Sequence, residues 1–570
     1  MTAAGVDELI RELRSLVGRR HVLVGRMTAP YRKGYRTDGG QAIAVVRPGD
    51  LVEQWRVLQA CVRAGVIVVM QAANTGLTGG STPAPEGYDR DVVIINTLRL
   101  KTLHVIDAGR QVICAPGVTL DALEKALKPW GREPHSVIGS SCIGASVVGG
   151  VCNNSGGSLL RRGPAFTRLA LYARMAADGS LELVNHLGVR LDGAPAEVLR
   201  RLDRGDFDAG DIRPSAAGEA SDADYQDHVR DIDADTPARF NADPRRLFEA
   251  SGSAGRLCLF AVRLDTFAQA GPTQVFYIGV DDPGALSRLR RNMLSRPGEL
   301  PIAAEYVHRE AFDIAARYGK DAFLAVRLLG THRLPLLFRL KTRIDAMGRW
   351  AGLGSALSDH LLQIMSALAP EHLPARMRAC RDRFEHHLLL RVPHTEVERT
   401  RSCLTQTLTD GGDYFECTPQ EAEKAFLHRF AVAGAAVRYR AVHRRRVADI
   451  LALDVALPRN AADWCDAPAD DIDGALIHRL YYGHFFCHVF HQDYIVAAGH
   501  DPERLKREIL HDLDRRGAEY PAEHNVGHMY KAKPELEAFY RSLDPCNQFN
   551  PGIGLTSRNR DWKTCEGTEA

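Results

Sequence analysis

The sequence predicts an α+β protein of several domains, and three observations support that fold class. The chain has 570 residues, which is more than one hydrophobic core usually organises, so two to four domains are expected. Short β-branched runs alternate with amphipathic helical patterns. Apolar residues make up 45% and charged residues 25% of the chain, a balance that is typical of folded globular proteins.

The N-terminal half contains the clearest secondary-structure patterns. Four apolar residues share one face of a helix predicted at residues 6–18. A second helix, at 51–64, begins after Asp50, which is its predicted N-cap. The β-branched run at 66–70 predicts a buried strand. Further strands are predicted at 42–46, 92–95 and 257–264, and a further helix at 120–127.

Composition also limits the function classes. The formal net charge is +2 and no nucleic-acid-binding motif is recognised, so no nucleic-acid partner is expected. The 12 cysteines include no CxxC pair, which disfavours a zinc ribbon or a disulfide scaffold. Residues 1–16 are charged and lack the apolar core of a signal peptide. No apolar run reaches the roughly 18 residues of a membrane-spanning helix, so any membrane contact is expected to be peripheral.

Two segments combine small residues in a way that suits a bound phosphate. Residues 72–82 follow a predicted strand, and residues 139–158 contain six glycines and five serines. Small residues let main-chain N–H groups approach a ligand closely. Either segment alone fits an ordinary turn, but two of them are costly in chain entropy unless a ligand fills the space between them. Neither matches a dinucleotide fingerprint or a P-loop, which disfavours NAD and nucleoside triphosphates. By contrast, the Asp-rich segment 205–236 is predicted to be a surface insertion.

These segments carry a resemblance. The strand with its Gly/Asn/Thr loop, the Gly-Ala-Ser-x-x-Gly-Gly run at 144–150 and Asn153-Asn154-Ser155-Gly156-Gly157 resemble the FAD domain of vanillyl-alcohol-oxidase-type flavoproteins. From Tyr31 to Gly554 the chain further resembles the quinone-dependent, membrane-associated D-lactate dehydrogenases. The resemblance implies a PCMH-type FAD-binding domain of two subdomains, an α+β cap domain and a helical, basic membrane-docking segment.

The resemblance also implies domain limits and cofactor contacts. The FAD-binding domain would span 1–265 and be completed by 520–570. The cap would comprise 266–308, 385–425 and 450–519, and the membrane-docking segment 309–384 and 426–449. The predicted FAD contacts are Ala72, Ala73, Asn74, Thr75, Gly76, Gly80, Ser81, Gly139, Ser146, Gly156 and Leu259. Segment 72–81 contains neither histidine nor cysteine, so the FAD is expected to be noncovalent.

A histidine and carboxylate constellation lies in the C-terminal part. Removing a hydroxyl proton while hydride leaves the adjacent carbon needs a base such as histidine. Related 2-hydroxy-acid dehydrogenases carry His-x6-His and then Glu-His-Gly. His484, His491, Glu523 and His524 match this order, although Asn525 replaces the glycine. By resemblance, the first three would bind a divalent metal and His524 would be the base. The alternative is that they are satisfied polar residues of the cap.

His484 and His491 are an odd number of residues apart, so a straight strand would point them to opposite faces. A bulge or a strand-to-loop change would be needed to bring them together. Arg429 is the predicted clamp for a substrate carboxylate, because a guanidinium bonds a carboxylate through two parallel contacts. Metal-dependent relatives add a lysine where this chain has Ala452 and Leu453.

The middle of the chain mixes cations with apolar residues, a pattern that suits an anionic phospholipid surface. A solvated helix face is the alternative. The basic residues of this region are Arg327, Arg333, Arg339, Lys341, Arg343, Arg349, Arg438, Arg440, Arg444, Arg445 and Arg446.

The resulting hypothesis is FAD-dependent oxidation of D-lactate to pyruvate, with electrons passed to a membrane quinone at the cytoplasmic side of the inner membrane. One alternative is a related dehydrogenase of D-2-hydroxyglutarate or glycolate that uses a soluble acceptor. Another is a membrane-bound flavoprotein without turnover.

Overall fold

A computed structural model gives the architecture. It describes residues 1–34, 39–135, 144–329, 357–409, 411–465 and 474–563, together with positions 341, 344, 345, 347 and 472. In chain order the helices are α1 (Ala3–Val17), α2 (Ala29–Arg32), α3 (Leu51–Arg63), α4 (Leu120–Leu127), α5 (Val147–Cys152), α6 (Pro195–Arg204), α7 (Tyr225–Arg230), α8 (Pro283–Ser295), α9 (Arg309–Tyr318), α10 (Lys320–Leu329), α11 (Leu357–Leu368), α12 (Ala375–Arg383), α13 (Val397–Thr407), α14 (Pro419–Val442), α15 (Pro502–Arg515) and α16 (Pro534–Leu543).

The first sheet has four strands in the order β1-β2-β4-β3. Its strands are β1 (Val22–Leu23), β2 (Ala44–Val46), β3 (Ile67–Gln71) and β4 (Val92–Asn96). β2 and β3 both run parallel to β4, as expected for strands joined by crossover helices such as α3. Asp50 caps α3 as predicted, since its side chain accepts from the Glu53 N–H at 2.7 Å. The C-terminal segment returns to this sheet, where Asn550 N–H donates to the Val68 carbonyl.

The second sheet has five antiparallel strands in the order β5-β6-β10-β8-β9. They are β5 (Leu103–Ile106), β6 (Gln111–Cys114), β8 (Ala170–Met175), β9 (Leu181–Asn185) and β10 (Cys258–Asp265). A short pair, β7 (Arg132–Glu133) with β11 (Phe267–Ala268), lies apart from it. One hydrophobic core joins the first two sheets, with Leu58, Val68 and Phe260 fully buried in it.

The third sheet has seven strands in the order β15-β12-β14-β13-β17-β18-β16. They are β12 (Thr273–Val280), β13 (Ala303–His308), β14 (His386–Pro393), β15 (Gly412–Glu416), β16 (Val447–Ala456), β17 (Leu476–His484) and β18 (Val489–Ala497). Two further cores, one with Leu286 and the other with Ala315, each contain side chains of this sheet. Among the described helices of at least 18 residues, none has the apolar stretch needed to cross a bilayer.

Most of segment 205–236 is exposed or half-buried, as predicted for a surface insertion. Tyr225 and Val229 of α7 anchor the segment, because their side chains are buried with the third sheet. The predicted domain boundary between residues 425 and 426 falls inside α14, a helix of 24 residues. The capping box of Thr418 and Glu421 begins this helix before the boundary.

Candidate active site

A continuous cavity of about 770 Å³ is lined by residues of the first two sheets, of helices α9, α10, α11 and α14, and of the C-terminal segment. Its walls include the loop after β3, the turn that leads into α5, β10 with the loop before it, and segment 523–525. The predicted cofactor residues that line it are Ala72, Ala73, Asn74, Thr75, Gly76, Gly80, Ser81, Ser146, Gly156 and Leu259. Gly139 lies outside the described residues.

Side-chain hydrogen bonds hold the loop after β3, while its main-chain donors find no acceptor among the described residues. Asn74 has a left-handed φ of 54°, and its side-chain oxygen accepts from the Ser81 hydroxyl at 2.9 Å. Gln71 donates to the Ser81 carbonyl at 2.8 Å, which closes the loop at its base. No main-chain N–H from Ala73 to Ser81 donates to an acceptor within the described residues. Free N–H groups on a cavity wall suit an anionic ligand, so this loop fits the pyrophosphate of a dinucleotide.

The opposite wall is built from equally small residues. The Ser146 hydroxyl accepts from the Gly149 N–H at 3.1 Å and caps α5. A Cβ on Gly156 would lie 2.8 Å from Oε1 of Glu523 and 2.9 Å from the guanidinium carbon of Arg239. Because residue 156 has no side chain, this wall of the cavity can pack directly against the carboxylate of Glu523.

The β17–β18 hairpin places His484 and His491 side by side, although they are an odd number of residues apart in the sequence. β17 ends at His484, a single turn of 3₁₀ helix follows, and β18 begins at Val489. His484 then faces Val489 across the hairpin, while His491 faces Tyr482. The two imidazoles lie diagonally on neighbouring strands, with ring centroids 5.4 Å apart. The predicted strand-to-loop change is therefore what brings them together.

Glu523 completes a three-residue cluster with these histidines. One ligand atom from each of His484, His491 and Glu523 lies within 4.8 Å of the other two. Nε2 of His484 is 3.4 Å from Oε2 of Glu523. On the far side, Nδ1 of His484 donates to Glu305 at 2.6 Å, and Nδ1 of His491 is 3.2 Å from Asp454. A carboxylate behind each imidazole is the usual support of a metal-binding histidine.

The charged groups of the cluster shift one another's pKa values against the effect of burial. Burial alone would lower the pKa of His484, but Glu305 and Glu523 outweigh it and raise that pKa to about 10. Burial would raise the pKa of Glu523, but His484 and Arg239 hold it well below its ordinary value. Protonated His484 thus occupies the place of a cation, and a divalent ion would displace its proton. The residues present fit a metal.

Three buried residues of this network were not predicted as site residues. Arg239 contacts Glu523 and donates to the Gly157 carbonyl at 2.6 Å. Glu305 bridges His484 and Arg429, and Asp454 accepts from the Glu523 N–H at 2.6 Å. The only sequence signal for Glu305 is a charge within the otherwise apolar run Ala303–Val307. Nothing in the sequence marks Arg239.

His524 borders the same cavity. Its Nε2 is 3.9 Å from Oδ2 of Asp454, and its side chain is 35% exposed. Among the histidines of the cluster it is therefore the one most open to a substrate. His488 and His528 bond main-chain carbonyls, those of Pro458 and Thr82, at 2.9 Å each, which is a structural role.

The predicted role of Arg429 as a clamp for a substrate carboxylate stays a prediction, and in the structure its guanidinium contacts a carboxylate of the protein. Its Nη2 lies 3.1 Å from Oε2 of Glu305, and its guanidinium carbon lies 4.6 Å from the centre of the Tyr482 ring. Arg429 does not line the cavity. Its charge is committed to neutralising Glu305, since a buried carboxylate needs a partner.

Asn525, which departs from the glycine of the relatives, has a clear structural role. Its main-chain carbonyl accepts from the Thr78 hydroxyl at 2.7 Å. Its side chain donates to Asn153 at 2.9 Å and accepts from the Gly527 N–H at 2.7 Å. One residue therefore ties the segment that carries His524 to both small-residue loops.

Comparison with known proteins agrees with this arrangement. The family model described as "D-lactate dehydrogenase, membrane binding" matches residues 275–562, and the model of an FAD binding domain matches residues 42–183. The quinone-dependent D-lactate dehydrogenase of Escherichia coli (strain K12) is 55% identical over 569 residues, which cover 99% of this chain and 100% of that protein. The enzyme of the same name from Corynebacterium glutamicum is 46% identical, with 98% and 99% covered.

The fold has solved relatives as well. The structure of p-cresol methylhydroxylase with substrate bound superposes with a TM-score of 0.58 at 13% identity, and 97% of each chain is covered. At that identity the likeness concerns the fold alone, and it confirms the predicted PCMH-type α+β architecture. The full-length sequence matches go further, and they show that this chain belongs to the family of quinone-dependent D-lactate dehydrogenases.

Proposed function

We propose that this protein oxidises D-lactate to pyruvate with FAD as its cofactor and delivers the two electrons to a membrane quinone. The observation that carries the proposal is that His524 and the small-residue loops border one cavity. The proposed base and the loops proposed to hold FAD thus face the same space. The cluster of His484, His491 and Glu523 adjoins His524. Family membership over nearly the whole chain supports the substrate and the acceptor.

FAD would be held by the loop after β3 and by the turn into α5. The free N–H groups between Ala73 and Ser81 would bind its pyrophosphate, and Leu259 would contact it from β10. When bound, FAD supplies the hydride acceptor. Segment 72–81 offers no histidine or cysteine, so we propose a noncovalent cofactor.

His524 is the proposed base. Its exposed imidazole can take the C2 hydroxyl proton of D-lactate, and Asp454 stabilises the resulting imidazolium across 3.9 Å. Such proton transfer contributes about 10²–10⁴-fold to the rate of an enzyme. Glu523 keeps its neighbour His524 in place, because its own N–H is bonded to Asp454.

We also propose that His484, His491 and Glu523 bind a divalent metal ion. Two imidazoles and one carboxylate suit a transition-metal ion such as Mn²⁺ or Zn²⁺. The ion would hold the substrate carboxylate, for which the described cavity wall near His524 offers no arginine.

We further propose that the chain associates peripherally, through exposed apolar side chains of α11, with an anionic phospholipid surface on the cytoplasmic side. On α11, Ile364 is 60% exposed and Leu368 is 83% exposed. Exposed apolar groups next to cations suit a lipid surface. Arg333, Arg339, Arg343 and Arg349 of the predicted basic cluster lie outside the described residues.

Anaerobic absorbance spectroscopy tests the enzyme assignment. The purified protein should show the flavin absorbance, and D-lactate should bleach it within the mixing time of a manual experiment. L-lactate is the matched control and should leave the absorbance unchanged. Bleaching by D-2-hydroxyglutarate or glycolate alone would favour the related dehydrogenases, and a coloured protein that no 2-hydroxy acid bleaches would favour a flavoprotein without turnover.

A further inference from the structure

The cavity extends well beyond the cofactor loops. It continues between α10, α11 and α14, where its wall changes from small polar residues to apolar ones. The side chains that define this part, here named the apolar groove, are Ala325, Val326, Leu361, Met365, Phe430 and Val437. The charged cluster of the active site explains none of this surface.

One face of α14 forms the floor of the apolar groove. Phe430, Ala433, Gly434 and Val437 follow the i, i+3, i+4, i+7 spacing of a single helical face. Phe430 and Val437 are each 41% exposed, although an apolar helix face is normally covered. A Cβ on Gly434 would meet no atom of the described residues within 4 Å. The floor is therefore open along two turns of the helix.

The apolar groove runs along α14 and leads away from the active site. Arg429, next to Phe430, contacts Glu305, which in turn bonds His484. This end of the apolar groove therefore lies beside the active site. Val437 lies about 10 Å further along the helix, given a rise of about 1.5 Å per residue. The groove thus leads away from the histidine cluster along α14.

Two ion pairs of Arg438 lie at the end of the apolar groove that is distant from the histidine cluster. Arg438 lies 2.7 Å from Asp321 of α10 and 2.8 Å from Asp359 of α11. This buried guanidinium ties the three helices together while its charge is neutralised, so the walls keep their separation. On α11, Leu361 and Met365 line the apolar groove and are themselves 45% and 66% exposed. The groove therefore opens at the surface of the helix whose Ile364 and Leu368 are proposed to meet lipid.

We propose that the apolar groove binds a long-chain quinone, with its ring toward the cofactor loops and its isoprenoid tail between α10, α11 and α14. The inference rests on the proposed function. Over one cycle D-lactate loses two electrons and two protons, the quinone gains them as quinol, pyruvate is released and the FAD is unchanged. Continuity with the cofactor cavity favours a quinone over a lipid acyl chain, because only an electron acceptor has to reach that cavity.

Gly434→Phe tests the assignment, since it adds a large side chain to the floor of the apolar groove at a position where a Cβ meets no described atom within 4 Å. Phenylalanine is also a better helix former than glycine. Glu423→Phe is the control, because it adds the same side chain at an exposed position of α14 outside the cavity. Three rates are compared: anaerobic flavin reduction by D-lactate, turnover with ferricyanide, and turnover with a long-chain quinone in phosphatidylglycerol vesicles. Vesicle co-sedimentation is measured in parallel.

In Gly434→Phe we expect at least a tenfold loss of kcat/KM for the long-chain quinone, with flavin reduction and ferricyanide turnover within twofold of the wild type. Equal loss in Glu423→Phe, or unchanged quinone turnover in Gly434→Phe, would overturn the assignment. If the wild-type flavin is not bleached by D-lactate, the proposed function fails instead. A photoactivatable long-chain quinone, cross-linked to the wild-type holoenzyme, provides a binding readout independent of turnover. Labelled peptides should come from α10, α11 or α14, and labelling confined to other elements would refute the site.

Discussion

Nε2 of His484 lies 3.4 Å from Oε2 of Glu523, although one residue ends a strand of the third sheet and the other lies in the segment that returns toward the cofactor loops. Through this contact a histidine of the third sheet interacts with a residue that lines the cavity. Glu523 also forms an ion pair with Arg239, which lies on the side of the cofactor loops.

Replacing His524 with alanine should slow anaerobic flavin reduction by D-lactate by at least about 100-fold, because the hydroxyl proton loses its acceptor. FAD content should not change, since the cofactor loops are built from other residues. Stopped-flow absorbance measures the rate, and His500→Ala, at an exposed position, is the matched control. Reduction at the wild-type rate would remove His524 from the role of base.

Replacing Glu305 with glutamine should weaken metal binding about 10–100-fold, the usual effect of losing the partner of a metal-binding histidine. Metal content after dialysis at defined free Mn²⁺ or Zn²⁺ measures the change. Glu310→Gln is a close control, because Glu310 contacts His478 at the same 2.6 Å distance outside the site. A wild-type protein that retains no metal under these conditions would refute the metal proposal itself.

Alanine at position 156 should destabilise the protein by about 1–3 kcal/mol, as is usual for an overpacked site, and lower its affinity for FAD. The added methyl would lie 2.8 Å from Glu523 Oε1, and neither Glu523 nor Arg239 can move without breaking their contact. Denaturant unfolding of the apoprotein and FAD titration separate the two effects. Gly271→Ala, where a Cβ meets nothing within 4 Å, should change neither quantity.

Stability should fall as the solution is acidified below about pH 6.5. Burial and the neighbouring His372 lower the pKa of His428 to about 3, so the native state keeps it neutral. The unfolded chain takes up a proton there below about pH 6.5. The contribution is therefore complete above pH 6.5 and is lost as the pH falls toward 3, at about 1 kcal/mol by pH 5.5.

His428→Leu should accordingly reduce the difference in unfolding free energy between pH 7.5 and pH 5.5 by about 1 kcal/mol. The comparison of two pH values cancels the change in packing that the substitution itself causes. His500→Leu should leave the difference as it is in the wild type. An unaltered difference in His428→Leu would show that other groups account for the acid sensitivity.

Substituting Ile364 or Leu368 with glutamate should lower vesicle binding at least about tenfold. Each exposed apolar side chain contributes roughly 1.5–3 kcal/mol when buried in lipid, and the added charge faces anionic headgroups. Co-sedimentation with phosphatidylglycerol vesicles measures the partition. Met27→Glu, at another exposed apolar position, should bind normally, and equal losses in all three variants would point to a general effect of charge.

Local patterns predicted much of the fold and part of the site. The helix at 120–127 and the Asp50 cap follow from the sequence because capping and periodicity act over a few residues. The small-residue loops were found because their composition is itself unusual. Glu305 and Arg239 could not be found, because their roles arise from contacts with residues more than a hundred positions away. The ion pair of Arg429 with Glu305 could not be found for the same reason, since it depends on how α14 packs on the third sheet.

Asn525 couples His524 mechanically to both small-residue loops. Because Asn525 is bonded to Thr78 and to Asn153, the position of the neighbouring His524 depends on the same loops that are proposed to hold the dinucleotide. A change at either anchor would therefore displace His524 even if every other residue around the cavity were preserved.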